Sequence, residues 1–154
     1  MTKFEDWAAI VATKARYCRC LDTKDWAGYA DCFTEDFQLM TPPEGNNHSG
    51  REAAIRYIRS CVEPSKTVHH VHNPEITFDG PDEAAVIWAM QDRNTWTEAR
   101  RKEVGCSGHT GYGHYHERYV RCPDGKWRIK SSKLSYLHMD LYDVEKPADA
   151  KNLE

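Results

Sequence analysis

The chain lacks the marks of several large protein classes. No apolar run approaches the ~20 residues of a membrane span. The N-terminal stretch Met1-Thr2-Lys3-Phe4-Glu5-Asp6 is charged where the apolar part of an export signal would begin, so a cytoplasmic location is expected. There is no glycine-rich phosphate loop, dinucleotide fingerprint or nucleophile elbow, so no organic cofactor is expected. No basic stripe occurs, and a net charge of -3 argues against a nucleic-acid partner. The six cysteines include no CxxC pair. Cys18 and Cys20 lie two apart in a helical pattern and face different directions, so free thiols are expected rather than disulfides or a zinc site.

What is present suits one domain. The chain has 154 residues, 40% of them apolar and 29% charged, which is enough to bury a core and still enclose a cavity. Residues 1–140 read as the domain and 141–154 as a polar tail. Phe4, Trp7, Ile10, Val11, Tyr17, Cys18 and Leu21 form one apolar stripe at helical spacing. Asp22-Thr23-Lys24-Asp25 ends it with turn and cap formers. A short second helix carries Trp26, Tyr29, Ala30 and Phe33 on one side, and Phe37 to Met40 alternates as a first strand. Residues 42–50 read as a loop, and Arg51 to Val62 as a third helix stopped before Pro64. Strands follow over Thr67–Phe78, Ala84–Trp96, His109–Arg121 and Trp127–Met139, with a charged loop around Arg100-Arg101-Lys102-Glu103 and a hairpin turn at Pro123-Asp124-Gly125. Three helices followed by antiparallel strands predict an α+β fold: a curved sheet wrapped around the helices and enclosing a pocket.

Strand alternation sorts the candidate pocket residues. Val86, Trp88, Met90, Asp92, Asn94 and Trp96 share one face. A carboxylate closing an apolar row is either functional, or solvated at the strand end and paired with a cation such as Arg93. On the next strand Tyr112, His114, His116, Arg118 and Val120 share a face, opposite Gly113, Tyr115, Glu117, Tyr119 and Arg121. His114 and His116 at i, i+2 point the same way; hydrogen-bonding pocket histidines are preferred over metal ligands, since no third ligand is evident. His69, Val71 and Asn73 share one face of the first long strand, His70 and His72 the other.

Ordered landmarks give these residues a context. They are Arg16-Tyr17-Cys18-Arg19-Cys20-Leu21-Asp22-Thr23-Lys24-Asp25-Trp26, Phe33-Thr34-Glu35-Asp36-Phe37, Gly50-Arg51-Glu52-Ala53, His69-x-x-x-Asn73-Pro74-x-Ile76, Asp79-Gly80, and Asp124-Gly125-Lys126-Trp127-Arg128-Ile129. The set resembles the SnoaL-like branch of the nuclear-transport-factor-2-like superfamily, whose fold is a cone-shaped α+β barrel. Leu21 to Trp26 resembles the segment bearing the catalytic aspartate of scytalone dehydratase, and Tyr17-x-x-Cys20-Leu21-Asp22 resembles that of bile-acid dehydratase. Asp22 also falls at the aspartate of hexachlorocyclohexane dehydrochlorinase, and His69 at the catalytic histidine of all three. Asp92-Arg93 resembles a functional aspartate and its neighbour in bile-acid dehydratase, and His116 falls at a pocket asparagine of scytalone dehydratase. The departures are Trp96, where scytalone dehydratase has a second histidine; Thr41, in place of a tyrosine; and Tyr136, in place of the late arginine of bile-acid dehydratase.

The resemblance implies a cofactor-independent lyase. Asp22 would hold His69 in one tautomer while His69 takes a substrate proton, with Tyr17 and Asp92 assisting. Loss of water, of halide or of a small carbon fragment such as formaldehyde would follow. His116, His114, Trp88, Met90, Trp96, Tyr112, Arg118 and Tyr136 are the expected substrate contacts, for an aromatic or polycyclic substrate. The alternatives are an isomerase or cyclase using the same base, and a non-catalytic binding domain. No metal is expected, and the resemblance implies a homo-oligomer, a trimer or a dimer.

Overall fold

The computed structural model describes residues 2–144. Helix α1 (Lys3–Thr23) opens with a reciprocal cap: the Thr2 hydroxyl accepts the Glu5 N–H, and Glu5 accepts the Thr2 N–H at 2.6 Å. It closes at Lys24, which takes the left-handed conformation that ends many helices. Asp22 thus lies in the last helical turn: the helix runs two residues into the Asp22-Thr23-Lys24-Asp25 break read from the sequence. The expected stripe is also corrected at its start. Phe4 and Trp7 are exposed, and the first turn is anchored by Asp6, which accepts the Trp127 indole N–H at 3.0 Å and pairs with Arg121 at 2.7 Å. From Ile10 onward the apolar face is buried as expected, with Val11 half-buried at its edge.

Helix α2 (Trp26–Ala30) is capped by Asp25, and α3 (Arg51–Val62) has the expected bounds. Phe33 belongs not to α2 but to β1 (Phe33–Thr41), where its ring packs on Phe37 at 4.3 Å. Two segments read as loops are ordered elements. Strand β2 (Asn46–Ser49) is short and polar and pairs only with β1 at the sheet edge. Helix α4 (Glu98–Val104) buries no residue, so it has no apolar period to reveal it. A Thr97 cap, Gly105 at φ 72° and the Lys102–Glu98 pair at 3.1 Å define it instead.

The long strands are β3 (Ser65–Phe78), β4 (Glu83–Trp96), β5 (Gly108–Arg121) and β6 (Trp127–Tyr142). The sheet order is β2-β1-β6-β5-β4-β3. All pairs are antiparallel except β1–β6, which is parallel because the chain crosses from one to the other through α3 and four strands. The sheet is curved and unclosed, and the helices fill its concave side, which is the expected cone-shaped α+β architecture. The expected tail at 141 begins inside β6, since Leu141 and Tyr142 continue that strand; the remainder of that tail, from 145 on, lies outside the described residues.

The core beneath the helices includes Ile10, Tyr29, Phe33, Phe37, Tyr119, Trp127 and Ile129, all essentially inaccessible. Within it lies an ion pair, Lys14 to Glu117 at 2.7 Å, with both side chains fully buried. Ser132 and Tyr119 donate to the same carboxylate at 3.0 and 2.7 Å, and the ammonium sits over the rings of Tyr17 and Tyr115. The glutamate oxygens are therefore satisfied, the condition under which a buried pair is tolerated.

Candidate active site

Helix α1 runs against β3 and delivers Asp22 from its last turn to the start of that strand. The contact joins residues 47 positions apart: Asp22 Oδ1 lies 2.6 Å from His69 Nδ1. Asp22 Oδ2 accepts the His69 backbone N–H at 2.8 Å, and the Thr67 hydroxyl donates to Oδ1 at 2.9 Å. Lys24 Nζ in turn donates to the Thr67 oxygen at 2.9 Å. A carboxylate so held accepts from Nδ1–H, which leaves Nε2 as the ring's free acceptor.

Across the β3–β4 ladder His69 stands directly opposite Asp92. Asp92 is 3% exposed, so it is neither solvated nor paired with Arg93, whose guanidinium lies over the Tyr142 ring. Tyr136 donates its hydroxyl to Asp92 Oδ2 at 2.6 Å, the Gly111 N–H donates to Oδ1 at 3.1 Å, and His109 Nε2 lies 3.5 Å from Oδ1. Burial pushes the Asp92 carboxyl up, but the hydrogen bonds from His109 and Tyr136 and the nearby imidazoles outweigh it and hold the group below the ordinary aspartate value. Burial and the Asp92 charge push the Tyr136 phenol well above its ordinary range; burial and Glu117 do the same to Tyr17.

These groups line one cavity of about 190 Å³. Its polar wall is His69, Asp92, Asn94, His109 and Tyr136; its apolar side comes from Leu21, Leu39, Ile58 and Val62, with Tyr17, Trp96 and Tyr115 between. Asp22 stands behind His69. A wider, more open recess of about 530 Å³ adjoins it at Thr41, Pro42, Leu134 and Tyr136 but contains neither imidazole.

The expected site residues thus divide. His69, Tyr17, Asp92, Trp96 and Tyr136 come together at the cavity, with Asp22 bonded to His69. Trp88 and Met90 share the inner face but are buried in the core and do not line the cavity. Tyr112, His114, His116 and Arg118 lie on the opposite, outer face. The β4–β5 register sets Tyr112, His114 and His116 against Gln91, Ala89 and Ile87, not against Asp92 or Trp88. Tyr112 is 39% exposed and stacks on His138, and Arg118 pairs with Asp79 and Glu83 at the far end of the sheet. The inner face of β5 is instead His109, Gly111, Gly113, Tyr115, Glu117 and Tyr119. Two glycines, Gly111 and Gly113, stand on this inner face. A Cβ on Gly111 would lie 2.3 Å from the Tyr136 ring and 2.6 Å from Asp92 Oδ1. The glycines make room for Tyr136, whereas the paired histidines and the resemblance at His116 point to the opposite face as the pocket wall.

His109, Asn94, Thr41, Tyr57 and Tyr115 line the cavity without having been assigned to the site from the sequence. Asn94 was placed on the right face, and directly opposite it in the register is His109, with the Asn94 amide 3.0 Å from His109 Nε2. Extending the β4 alternation across that register is the signal that finds His109.

A helix-filled, curved sheet with an imidazole-bearing cavity is the architecture of small proteins that bind or convert small molecules. The chain belongs to the SnoaL-like domain family, whose model matches residues 2–133. A Gibberella zeae protein provisionally named as a cyclase, FGR4, is 25% identical over 147 residues, covering 89% of this chain and 95% of that one. A Mycobacterium tuberculosis protein of unknown function, Rv3472, is 28% identical, with a TM-score of 0.72 over 87% of this chain and 73% of that one. The hexachlorocyclohexane dehydrochlorinase LinA shares the fold at a TM-score of 0.78 and 16% identity, over 96% of this chain and 97% of that one. No helix among the described residues is long and apolar enough to cross a membrane.

Proposed function

We propose that this protein is a cofactor-independent lyase in which His69, oriented by Asp22, removes a proton from a small, largely apolar substrate. The observation that carries this reading is the 2.6 Å contact between Asp22 Oδ1 and His69 Nδ1. It fixes the ring by one nitrogen and frees the other as a base, and an imidazole exchanges protons near neutral pH. Asp22 also stabilises the imidazolium formed on proton uptake. Tyr17 and Tyr115 flank the bound molecule, and the aliphatic side of the cavity favours an aromatic substrate. At about 190 Å³ the cavity is below the 300–1,000 Å³ typical of drug-sized ligands, so one or two rings suit it better than a larger polycycle.

The cyclase-named relative supports a second reading, isomerisation or ring closure by the same base. Mass spectrometry of the products from a panel of one- and two-ring hydroxy ketones, diols and halides separates the two. Elimination lowers the mass and isomerisation preserves it. Full turnover by His69→Ala, folded by circular dichroism, overturns His69 as the base in both readings, whereas binding without product by the unaltered protein leaves a binding domain.

A further inference from the structure

At one edge of the cavity two hydroxyls stand side by side. Thr41 closes β1, and Tyr57 reaches the same place from α3; both line the cavity, with their oxygens 3.5 Å apart. Asn46 on β2 holds the two from outside the cavity. Its amide nitrogen donates to the Thr41 oxygen at 2.7 Å and to the Tyr57 oxygen at 2.7 Å. Its amide oxygen faces His48 Nε2 at 3.0 Å, and the His48 ring stacks on the Tyr57 ring with centroids 4.0 Å apart. An N–H on that ring nitrogen keeps the amide oxygen turned to His48 and the NH2 turned to the hydroxyls.

The hydrogens of this cluster do not all find acceptors. Both amide hydrogens of Asn46 are used, one on each oxygen. The hydroxyls then have two hydrogens of their own and one shared line, the 3.5 Å contact between them. One O–H hydrogen can lie along it. The other has no acceptor among the described residues. Tyr136 differs, because its hydrogen goes to Asp92 at 2.6 Å. Position adds a second constraint. Thr41, Pro42, Leu134 and Tyr136 line both the cavity and the wider recess, so the hydroxyl pair stands at the neck between them. The neck lies where the β1–β6 pairing ends, just past Met40 and Lys133. On one side is a space of about 190 Å³, on the other an open one of about 530 Å³.

We propose that Thr41 and Tyr57 form a subsite for a carbonyl oxygen, and that the substrate is an aryl ketone with its ring in the cavity and its alkyl arm in the recess. This names the substrate class of the site built around His69 and rests on that cavity being where conversion occurs. A carbonyl oxygen only accepts, so it takes the spare O–H hydrogen. A hydrocarbon of the same shape leaves that hydrogen unpaired. The small cavity admits the flat ring, and the carbonyl carbon sits at the neck, from which the arm has open space to extend. Asn46 and His48 are positioning residues: they touch the hydroxyls, not the ligand.

Binding of simple ketones, read by NMR titration of the full chain, tests this without turnover. Propiophenone and propylbenzene differ only in C=O against CH2. The double variant Thr41→Val/Tyr57→Phe is expected to weaken propiophenone about fivefold or more and propylbenzene by no more than about twofold. Asn46→Asp should do the same, since its carboxylate takes the hydroxyl hydrogens while both hydroxyls stay in place. Equal changes for the two compounds in both variants overturn the subsite. So does weakening of the matching benzylic alcohol without weakening of the ketone, because the hydroxyls would then serve as acceptors. Hexanophenone and its isomer para-propylpropiophenone test the neck. The first extends the arm and the second extends the far end of the ring, and the first is expected to bind about tenfold tighter. Equal binding of the isomers overturns the ring-inward placement, and failure of the unaltered protein to bind propiophenone overturns the proposal as a whole. The base reading is decided separately, by turnover in His69→Ala, and none of these affinity ratios bears on it.

Discussion

The two faces of the sheet carry the same residue type in different states. On β3, His69 points inward and is bonded through Nδ1 to a carboxylate, while its neighbours His70 and His72 point outward into solvent. On β5, His109 points inward beside Asp92, while His114 and His116 point outward with their rings 6.1 Å apart. One step along a strand therefore separates an imidazole with a fixed tautomer from one free to reorient. Being a histidine in a histidine-rich strand carries little chemical information; being opposed by a buried carboxylate carries much.

The contrast can be broken most severely at the base. His69→Ala is expected to lower turnover by about 10⁴, whereas His70→Ala and His116→Ala stay within about twofold, as steady-state kinetics on any converted compound will show. Next in size is the inner ion pair against an outer one. Lys14→Met leaves Glu117 charged and unpaired in the core and should cost about 3–5 kcal/mol in urea unfolding. Arg118→Met on the outer face removes partly exposed pairs with Asp79 and Glu83 and should cost no more than about 1 kcal/mol. Third, Gly111→Ala drives a methyl into Tyr136 and Asp92 and should destabilise by about 1–3 kcal/mol, whereas Gly125→Ala, in the hairpin turn, meets no neighbouring side chain and suffers only its backbone strain at φ 79°.

The smallest effect concerns pH. Tyr17, Tyr29, Tyr115, Tyr119 and Tyr136 all have phenols raised above the ordinary value of 10.0, chiefly by burial. A raised folded value means that the unfolded chain ionises first. The stability these groups contribute is complete below about pH 10 and declines as pH rises beyond it. A tyrosinate absorbance titration should register at most three of the eight tyrosines before the helical signal is lost. Ionisation of more than three in the folded protein would show that the inner face is wetter than the structure has it.

Much of this was legible from alternation. Inward His69 and outward His70 and His72, the β4 row from Val86 to Asn94, and the bounds of α3 all follow from local periodicity. The failures have local causes too. Helix α4 has no apolar face, and β2 is too short and polar to alternate visibly. Phe4 and Trp7 extend the α1 stripe in sequence, but the chain above that turn offers Asp6, Trp127 and Arg121 rather than an apolar surface. On β5 the alternation was read correctly and the face was chosen wrongly: the His114 and His116 pair drew the choice, while the inner row shows only Gly111 and Gly113 where Tyr136 packs. A face is inner when something packs on it, and a glycine advertises nothing about the Tyr136 ring that will fill its space.

By itself the sequence determined which residues share a side: the two- and 3.6-residue periods are properties of the local backbone, indifferent to the rest of the chain. Tertiary structure decided which side of β5 meets the helices, because that depends on the β4 register and on volume donated by β6. It also decided that Asp22, closing a helix, meets His69, 47 positions on. A hydrogen bond of 2.6 Å requires α1 to lie across β3, and that placement comes from the burial of a whole helical face, to which neither residue contributes.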